Sequence, residues 1–346
     1  MINFNANRLL LQFHITGRCN LRCKHCYRTE GDAEILSLEN IKTVIDQFLI
    51  LRKKYNDIYK IKKPGHINIT GGEPFFRSDI KEILRYLGEH QSEITYGILS
   101  NGSFIDAETI EILKETRVSF IQLSIDGNRE IHDDIRAAGD YDRVFETAEK
   151  LEKHGIRTYI SFTANKENYE FLPYIAKECR KRKITKLWSD RLVPIGNGEN
   201  MDDLKITADD LYGYINTLKK SQGTFLTKHL YPKTQVAMNR ALQFINSDGS
   251  IYSCSAGASL ITVDEFGRIM PCRRMPIYCE DIFTSTLEDV YFNNKIFREL
   301  RKKDIPMECN NCSYKYACQG GAKCQSYAAY GSFHRADPSC PLKKNI

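Results

Sequence analysis

Hydrophobic and polar positions along this 346-residue chain follow two alternating rhythms. Short apolar runs such as Leu10-Leu11-Gln12-Phe13-His14-Ile15-Thr16, His66-Ile67-Asn68-Ile69-Thr70 and Phe120-Ile121-Gln122-Leu123-Ser124-Ile125 have the length and composition of strands. Similar runs at 96–100, 157–163 and 186–193 bring the number of predicted strands to six. Between them, apolar residues recur every three or four positions, which predicts helices from Ser37, over 78–90, from Asp106, over 141–154 and over 169–183. Ser37, with an oxygen ready to accept from the first free backbone amides, is the predicted N-cap of the first helix. A strand followed by a helix, repeated along the chain, predicts parallel strands with crossover helices. The simplest such fold is α/β, an open partial (β/α)6 barrel whose functional loops follow the strand C-termini.

Beyond residue 253 the rhythm changes. Ser259 to Cys272 reads as a β-hairpin turning at Glu265-Phe266-Gly267. An amphipathic helix is predicted over 287–302, with Val290, Phe292, Ile296, Phe297 and Leu300 on its apolar face. The expected organisation is a barrel over 1–196, a helical bridge over 197–253 and a small cysteine-rich domain over 254–346.

Composition narrows the class. A hydrophobic content of 42% suits a globular chain with a sizeable core. No apolar run is long enough to span a membrane, and no secretory signal is legible, so a cytoplasmic setting is expected. There, clusters of thiols point to metal or redox chemistry rather than to disulfides. The net charge of +6 is a modest excess that a solvated surface explains, and nothing in it asks for a nucleic-acid partner.

Chemistry concentrates in the 12 cysteines. Cys19, Cys23 and Cys26 stand in the spacing C-x3-C-x2-C directly after the first strand. Three thiolates on one loop can hold three irons of a [4Fe–4S] cube and leave the fourth iron open. A zinc site, with His14 or His25 as fourth ligand, and a disulfide-bonded loop are the alternatives. After the second strand comes Thr70-Gly71-Gly72-Glu73-Pro74, where two glycines permit close approach of backbone to a ligand. An ordinary strand-to-helix turn is the other reading. Toward the C-terminus, Cys254 and Cys272 flank the hairpin, and Cys309, Cys312, Cys318, Cys324 and Cys340 follow. Four thiolates among these also suit a structural zinc. Cys179 lies in a predicted helix among Lys and Arg and reads as a bystander.

Taken with the Gly-Gly-Glu-Pro loop and with Leu123-Ser124-Ile125-Asp126-Gly127 and His132-Asp133-Asp134-Ile135-Arg136, the triad resembles the radical S-adenosylmethionine (SAM) enzymes. The pattern C-x12-G-x4-C, then C-x2-C-x5-C and Cys340, resembles their SPASM extension. This resemblance spans nearly the whole chain. It implies three [4Fe–4S] clusters, one binding SAM through Cys19, Cys23 and Cys26 and two auxiliary. Cys309, Cys312, Cys318 and Cys340 would hold the distal auxiliary cluster, and Cys254, Cys272 and Cys324 the proximal one, with Cys279 or an open iron completing it. Cys324 departs from the family spacing, since Ala322 occupies the usual cysteine position.

The resemblance further implies that Gly71, Gly72 and Glu73 receive the SAM amino group, Ser124 binds near the ribose or carboxylate, and Arg136 pairs with the carboxylate. Asp126 would hold a ribose hydroxyl or cap the following turn, and Tyr27 would lie by the adenine or in the core.

The implied reaction is reductive cleavage of SAM to a 5′-deoxyadenosyl radical that takes hydrogen from a substrate. The expected activity is an oxidative crosslink in a ribosomally made peptide, such as a thioether or carbon–carbon bond. The alternatives are oxidation or decarboxylation of a small molecule or cofactor precursor, and a non-enzymatic iron–sulfur or zinc carrier. Expected partners are a flavodoxin or ferredoxin-type electron donor and, with only eighteen residues before Cys19, a separate leader-binding protein. Arg273 and Arg274 after Cys272 differ from the Asp that sulfatase-maturing relatives carry there.

Overall fold

The computed structural model describes residues 7–28, 36–245 and 251–343. Its strands are β1 (Leu10–His14), β2 (Gly65–Thr70), β3 (Ile94–Leu99), β4 (Ile121–Ser124), β5 (Thr158–Ala164), β6 (Lys186–Arg191), β7 (Gln235–Ala237), β8 (Leu260–Val263), β9 (Arg268–Met270) and β10 (Glu280–Asp281). Helices α1 (Leu38–Tyr59), α2 (Ile80–Glu89), α3 (Ala107–Glu115), α4 (Arg129–Ile135), α5 (Asp140–Lys153) and α6 (Leu172–Lys181) alternate with the first six strands. Then come α7 (Leu211–Ser221), α8 (Phe225–Leu230), α9 (Leu287–Asn293), α10 (Lys295–Lys302), α11 (Lys315–Cys318) and α12 (Lys323–Tyr330). The expected α/β architecture of parallel strands and crossover helices is present, with a cysteine-rich C-terminal segment.

The chain forms two compact units. The first comprises Met1–Asn20, Glu30–Ile121 and Ser255–Asp304, and the second Leu21–Thr29, Gln122–Cys254 and Ile305–Ile346.

In the first unit the strand order is β10-β9-β8-β1-β2-β3. The hairpin β8–β9 turns where the sequence predicts. Asp264 Oδ1 accepts from the amides of Phe266 and Arg268. Strand β8 pairs in parallel with β1, Leu10 opposite Leu260 and Phe13 opposite Val263. One face of this sheet is apolar, with Leu11, Phe13, Ile67, Ile69 and Ile261 fully buried. Each such side chain contributes roughly 1.5–3 kcal/mol. Gln12, His14, Asn68, Thr70 and Thr262 alternate with them and share the opposite, polar face. Ser37 caps α1 through a reciprocal bond with Asn40, as its position predicts. The predicted helix over 287–302 is broken at Asn294. Its extended backbone ends α9, and its side chain caps α10 by accepting from the Ile296 amide.

In the second unit the order is β4-β5-β6-β7. Between 197 and 253, α7 and α8 form as helices, and β7 adds a strand parallel to β6, with Lys186 opposite Gln235. Helix α4 also goes beyond the predicted elements. Seven residues are too few for periodicity to show it, and Asn128 caps it by accepting from the Ile131 amide. The C-terminal segment is anchored here: Gln325 Nε2 donates to the Leu192 carbonyl at 2.8 Å, and Ser339 Oγ to that of Ile206 at 2.6 Å. Among the described residues no helix is long and apolar enough to cross a membrane.

Candidate functional site: cysteine loops and the polar groups around them

In the first unit, Gly71 and Gly72 serve a close approach of two backbones. The Gly72 amide donates to the Thr16 carbonyl and the Glu73 amide to that of Arg18, both at 2.8 Å. A Cβ on Gly72 would lie 2.2 Å from the Arg18 oxygen, and Gly71 adopts φ +140°. Only glycine fits there. The loop after β2 is thereby seated on the chain that leads into Cys19. Glu73 is fully buried, and its carboxylate accepts from the Phe75 amide, the Ser100 hydroxyl and the Asn101 amide at 2.7–3.0 Å. It thus joins the loops after β2 and β3. Asn101 in turn reaches Asn20 at 2.8 Å and the Cys19 sulfur at 3.9 Å.

At the end of β1, His14 Nδ1 lies 3.5 Å from Glu265 Oε2, both buried. Burial lowers the imidazole pKa more than Glu265 raises it, and the Arg273 cation lowers it further. Arg273 itself reaches Thr70 Oγ1 at 3.4 Å.

In the second unit, Arg136 and Asp126 meet beside Cys23. Arg136 Nε donates to Asp126 Oδ2 at 2.6 Å, while its Nη1 lies 3.8 Å from the Cys23 sulfur. His25 Nε2 stands 3.2 Å from Asp126 Oδ2. Asp126 Oδ1 accepts from the Thr163 amide, so this fully buried carboxylate is turned inward. Burial alone would raise its pKa, but Arg136, His25 and His132 outweigh it and hold the group well below the usual carboxylate range. Burial likewise disfavours the Arg136 cation, and Asp126 together with the thiols of Cys23 and Cys26 more than restores it. Gly196, at φ +62°, lets the loop after β6 press on Tyr27, since a Cβ there would lie 2.3 Å from the Tyr27 carbonyl. The Gly198 amide donates to the Cys26 carbonyl at 3.2 Å. Tyr27 and Ser124 are half-buried.

Farther along the same unit, Cys309, Cys312, Cys318 and Cys340 form a group whose thiols feel one another. Burial and the neighbouring Cys340 push Cys309 up to about 11 and Cys318 up to about 12, and Cys312 adds to the rise at Cys309. Burial raises Cys340 as well. Thiols that oppose one another's ionisation are what a bound metal group reverses. Asp337 accepts from the Ala322 amide and is held by Arg191 of β6, which fixes the turn between Cys318 and Cys324.

Cys254 and Cys324 belong to this unit and Cys272 to the other. Cys254 and Cys272 are half-buried, and Cys324 is buried in α12. Cys279 is pushed up to about 12 by burial and by Glu280. Cys179 lies in the core of α6, where burial takes it up to about 12. Among the described residues no three His, Cys, Asp or Glu side chains close on a single metal ion.

The role of His25 in fixing Asp126, the Asn101 contact to Cys19 and the Arg191 hold on Asp337 went beyond the sequence reading. His25 carried a visible signal, its place inside the cysteine triad. Asn101 stood in Leu99-Ser100-Asn101-Gly102, which resembles the family's loop after the third strand and reads equally as an Asn turn. The Arg191 contact joins distant positions and left no signal.

Residues 13–179 match the Radical SAM superfamily, and residues 238–313 match the SPASM iron–sulfur cluster-binding domain. The chain is therefore a radical SAM enzyme with a SPASM domain. It is similar to the AdoMet-dependent heme synthase of Methanosarcina barkeri, at 26% identity over 97% of each chain. It is also similar to the mycofactocin maturase of Mycolicibacterium smegmatis, at 27% identity over 96% of this chain and 82% of that one. Its fold matches the SAM-bound crystal structure of SuiB from Streptococcus suis, with a TM-score of 0.74 and 18% identity over 99% of this chain and 79% of that one.

Proposed function

We propose that this enzyme is an oxidative peptide maturase. The observation that carries the oxidative part is the four-thiol group of Cys309, Cys312, Cys318 and Cys340. A fully thiolate-held cluster suits the passage of single electrons, which an oxidative outcome needs after one hydrogen atom has been removed. The likeness to a maturase over 96% of the chain supports the substrate class.

The donor set, all of it thiols, suits iron–sulfur clusters by its chemistry. On the spacing of the sequence, Cys19, Cys23 and Cys26 would hold the SAM-binding cluster. Cys254, Cys272 and Cys324 would hold the proximal auxiliary cluster, completed by Cys279 or by an open iron, for three clusters in all. When bound, the cluster and SAM together supply a hydrogen-abstracting radical.

The chain's own residues bind and orient. Arg136, charged and braced by Asp126, presents its remaining N–H groups to an anionic group beside Cys23. The backbone of Gly71, Gly72 and Glu73 offers carbonyls to an ammonium group, while the Glu73 carboxylate stiffens the loop from inside. Ser124 and Tyr27 stand ready for the polar and adenine parts of SAM. Asp126 supports Arg136 and leaves ribose contacts to others. A flavodoxin or ferredoxin-type protein would deliver the electron, and a separate protein would present the peptide leader.

The experiment is 5′-deoxyadenosine formation by the reduced, iron-reconstituted enzyme, with and without a short peptide encoded beside its gene, together with the peptide mass. Stimulated turnover with loss of two hydrogens supports the maturase. Turnover stimulated instead by Fe-coproporphyrin III would support a second reading, a tetrapyrrole oxidase. That reading is favoured by the heme synthase likeness over 97% of both chains.

A further inference from the structure

The β5–β6 face of the second unit carries a cationic and aromatic cluster that the cofactor residues do not use. Tyr159, Ser161 and Thr163 stand in register with Lys186, Trp188 and Asp190. All six are half-buried, whereas Ile160, Phe162 and Leu187 on the other face are fully buried. Lys186 Nζ lies 5.3 Å from the centre of the Tyr159 ring, and the Arg240 guanidinium lies 4.2 Å from that of Trp188.

Arg240 is held in place by its own segment. Its amide donates to Gln243 Oε1 at 3.0 Å, and Gln243 Nε2 donates to the Ser189 carbonyl of β6 at 2.8 Å. Its position is thus fixed before any ligand arrives.

The charges on this face are unbalanced. Arg240 Nε is buried with no hydrogen-bond partner among the described residues, and Asp190 Oδ2 stands off at 4.0 Å. Burial and the Arg240 cation both disfavour the charged form of Lys186, and among the described residues no carboxylate offsets them. Two neighbouring cations share one carboxylate, 4.0 Å from Arg240, and form a site that an incoming anion would stabilise.

We infer that Lys186, over the Tyr159 ring, and Arg240, over the Trp188 ring, together bind a carboxylate of the substrate. The inference deepens the proposed function, for which it names a chemical class: the substrate carries a carboxylate, as an acidic peptide side chain does and as a porphyrin propionate does.

Trp188 is the single tryptophan of the chain, so its emission reports on this face directly. The iron-reconstituted enzyme would be titrated with a short Glu-containing peptide and its Gln twin. Parallel equilibrium dialysis would use coproporphyrin III and its methyl ester. At least one acid is expected to bind saturably while its neutral twin does not. The double variant Lys186→Gln, Arg240→Gln should weaken that binding about tenfold or more, and Lys186→Arg should retain most of it.

Binding by the porphyrin acid alone upholds the carboxylate site while counting against the peptide reading. Equal binding of acid and neutral twin, saturation by neither acid, or an unchanged double variant overturns the inference. Should the double variant misfold, acid binding by the parent that is unmoved between low and high salt overturns it equally.

Discussion

The Arg191 guanidinium grips both oxygens of the Asp337 carboxylate, with Nη1 3.0 Å from Oδ1 and Nη2 2.6 Å from Oδ2, and both side chains are shut away from solvent. This fork joins the end of β6 to Asp337, whose carboxylate also accepts from the Ala322 amide between Cys318 and Cys324 and whose carbonyl accepts from the Cys340 amide. Removing one partner leaves the other charge buried and unmatched. Asp337→Asn is therefore expected to cost about 3–5 kcal/mol. It should also lower the iron retained per chain, as thermal denaturation and metal analysis of the reconstituted enzyme would show. A melting temperature and iron content equal to the parent's would refute this role.

The two cysteine groups should separate in their effects. Cys26→Ala is expected to abolish 5′-deoxyadenosine formation. Cys312→Ala should retain SAM cleavage while losing the oxidised product. Product and 5′-deoxyadenosine, quantified in the same reaction, test this. Equal loss of both in Cys312→Ala would contradict it.

Gly72→Ala places a methyl group 2.2 Å from the Arg18 carbonyl oxygen, so the chain before Cys19 must move. The overpacking costs about 1–3 kcal/mol. The expected result is a weakened electron paramagnetic resonance response to SAM, with signals of the C-terminal cysteine group retained.

Glu73→Gln puts an amide NH2 where the native oxygens accept from the Phe75 and Asn101 amides and the Ser100 hydroxyl. At least one buried donor then loses its acceptor, at a cost of about 1–3 kcal/mol. The urea midpoint should fall, and 5′-deoxyadenosine formation should slow as Asn101 shifts beside Cys19.

His66 offers a pH test away from the cysteines. Burial, aided by the Arg8 cation and only partly opposed by Asn68, lowers its pKa from 6.5 to about 4. The native state therefore prefers the neutral ring, which bonds Thr95 Oγ1 at 2.8 Å and Asn68 Oδ1 at 3.0 Å. The unfolded chain takes up a proton near pH 6.5, so this contribution is complete above that pH and is lost as pH falls toward 4. The loss amounts to about 3 kcal/mol. His66→Gln should flatten the stability profile in that window, and a slope equal to the parent's would exclude His66 as its source.

Much of the fold was legible because its signals are local. Six strands and the hairpin at Glu265-Phe266-Gly267 follow from short-range alternation and turn chemistry, and the cysteine and glycine motifs from their spacing. The break at Asn294 was hidden because its apolar positions continue across it at helical intervals. Asp126, readable from the sequence as a ribose contact or a turn cap, and Glu73, in the Gly-Gly-Glu-Pro loop, both turn their carboxylates to internal donors. A sequence shows which residue types stand near one another, not which of them face inward. The fork between Arg191 and Asp337 joins two chain segments far apart in sequence, and neither residue belongs to a recognisable pattern.

The parallel pairing of β8 with β1, Leu10 against Leu260, carries a consequence for biosynthesis. One edge of β1 waits for a partner that lies about 250 residues further along the chain. Until then its backbone amides and carbonyls on that side are open to any other extended chain. Such distant pairing also slows folding. The β1 edge should thus depend on chaperone cover until β8 has been made.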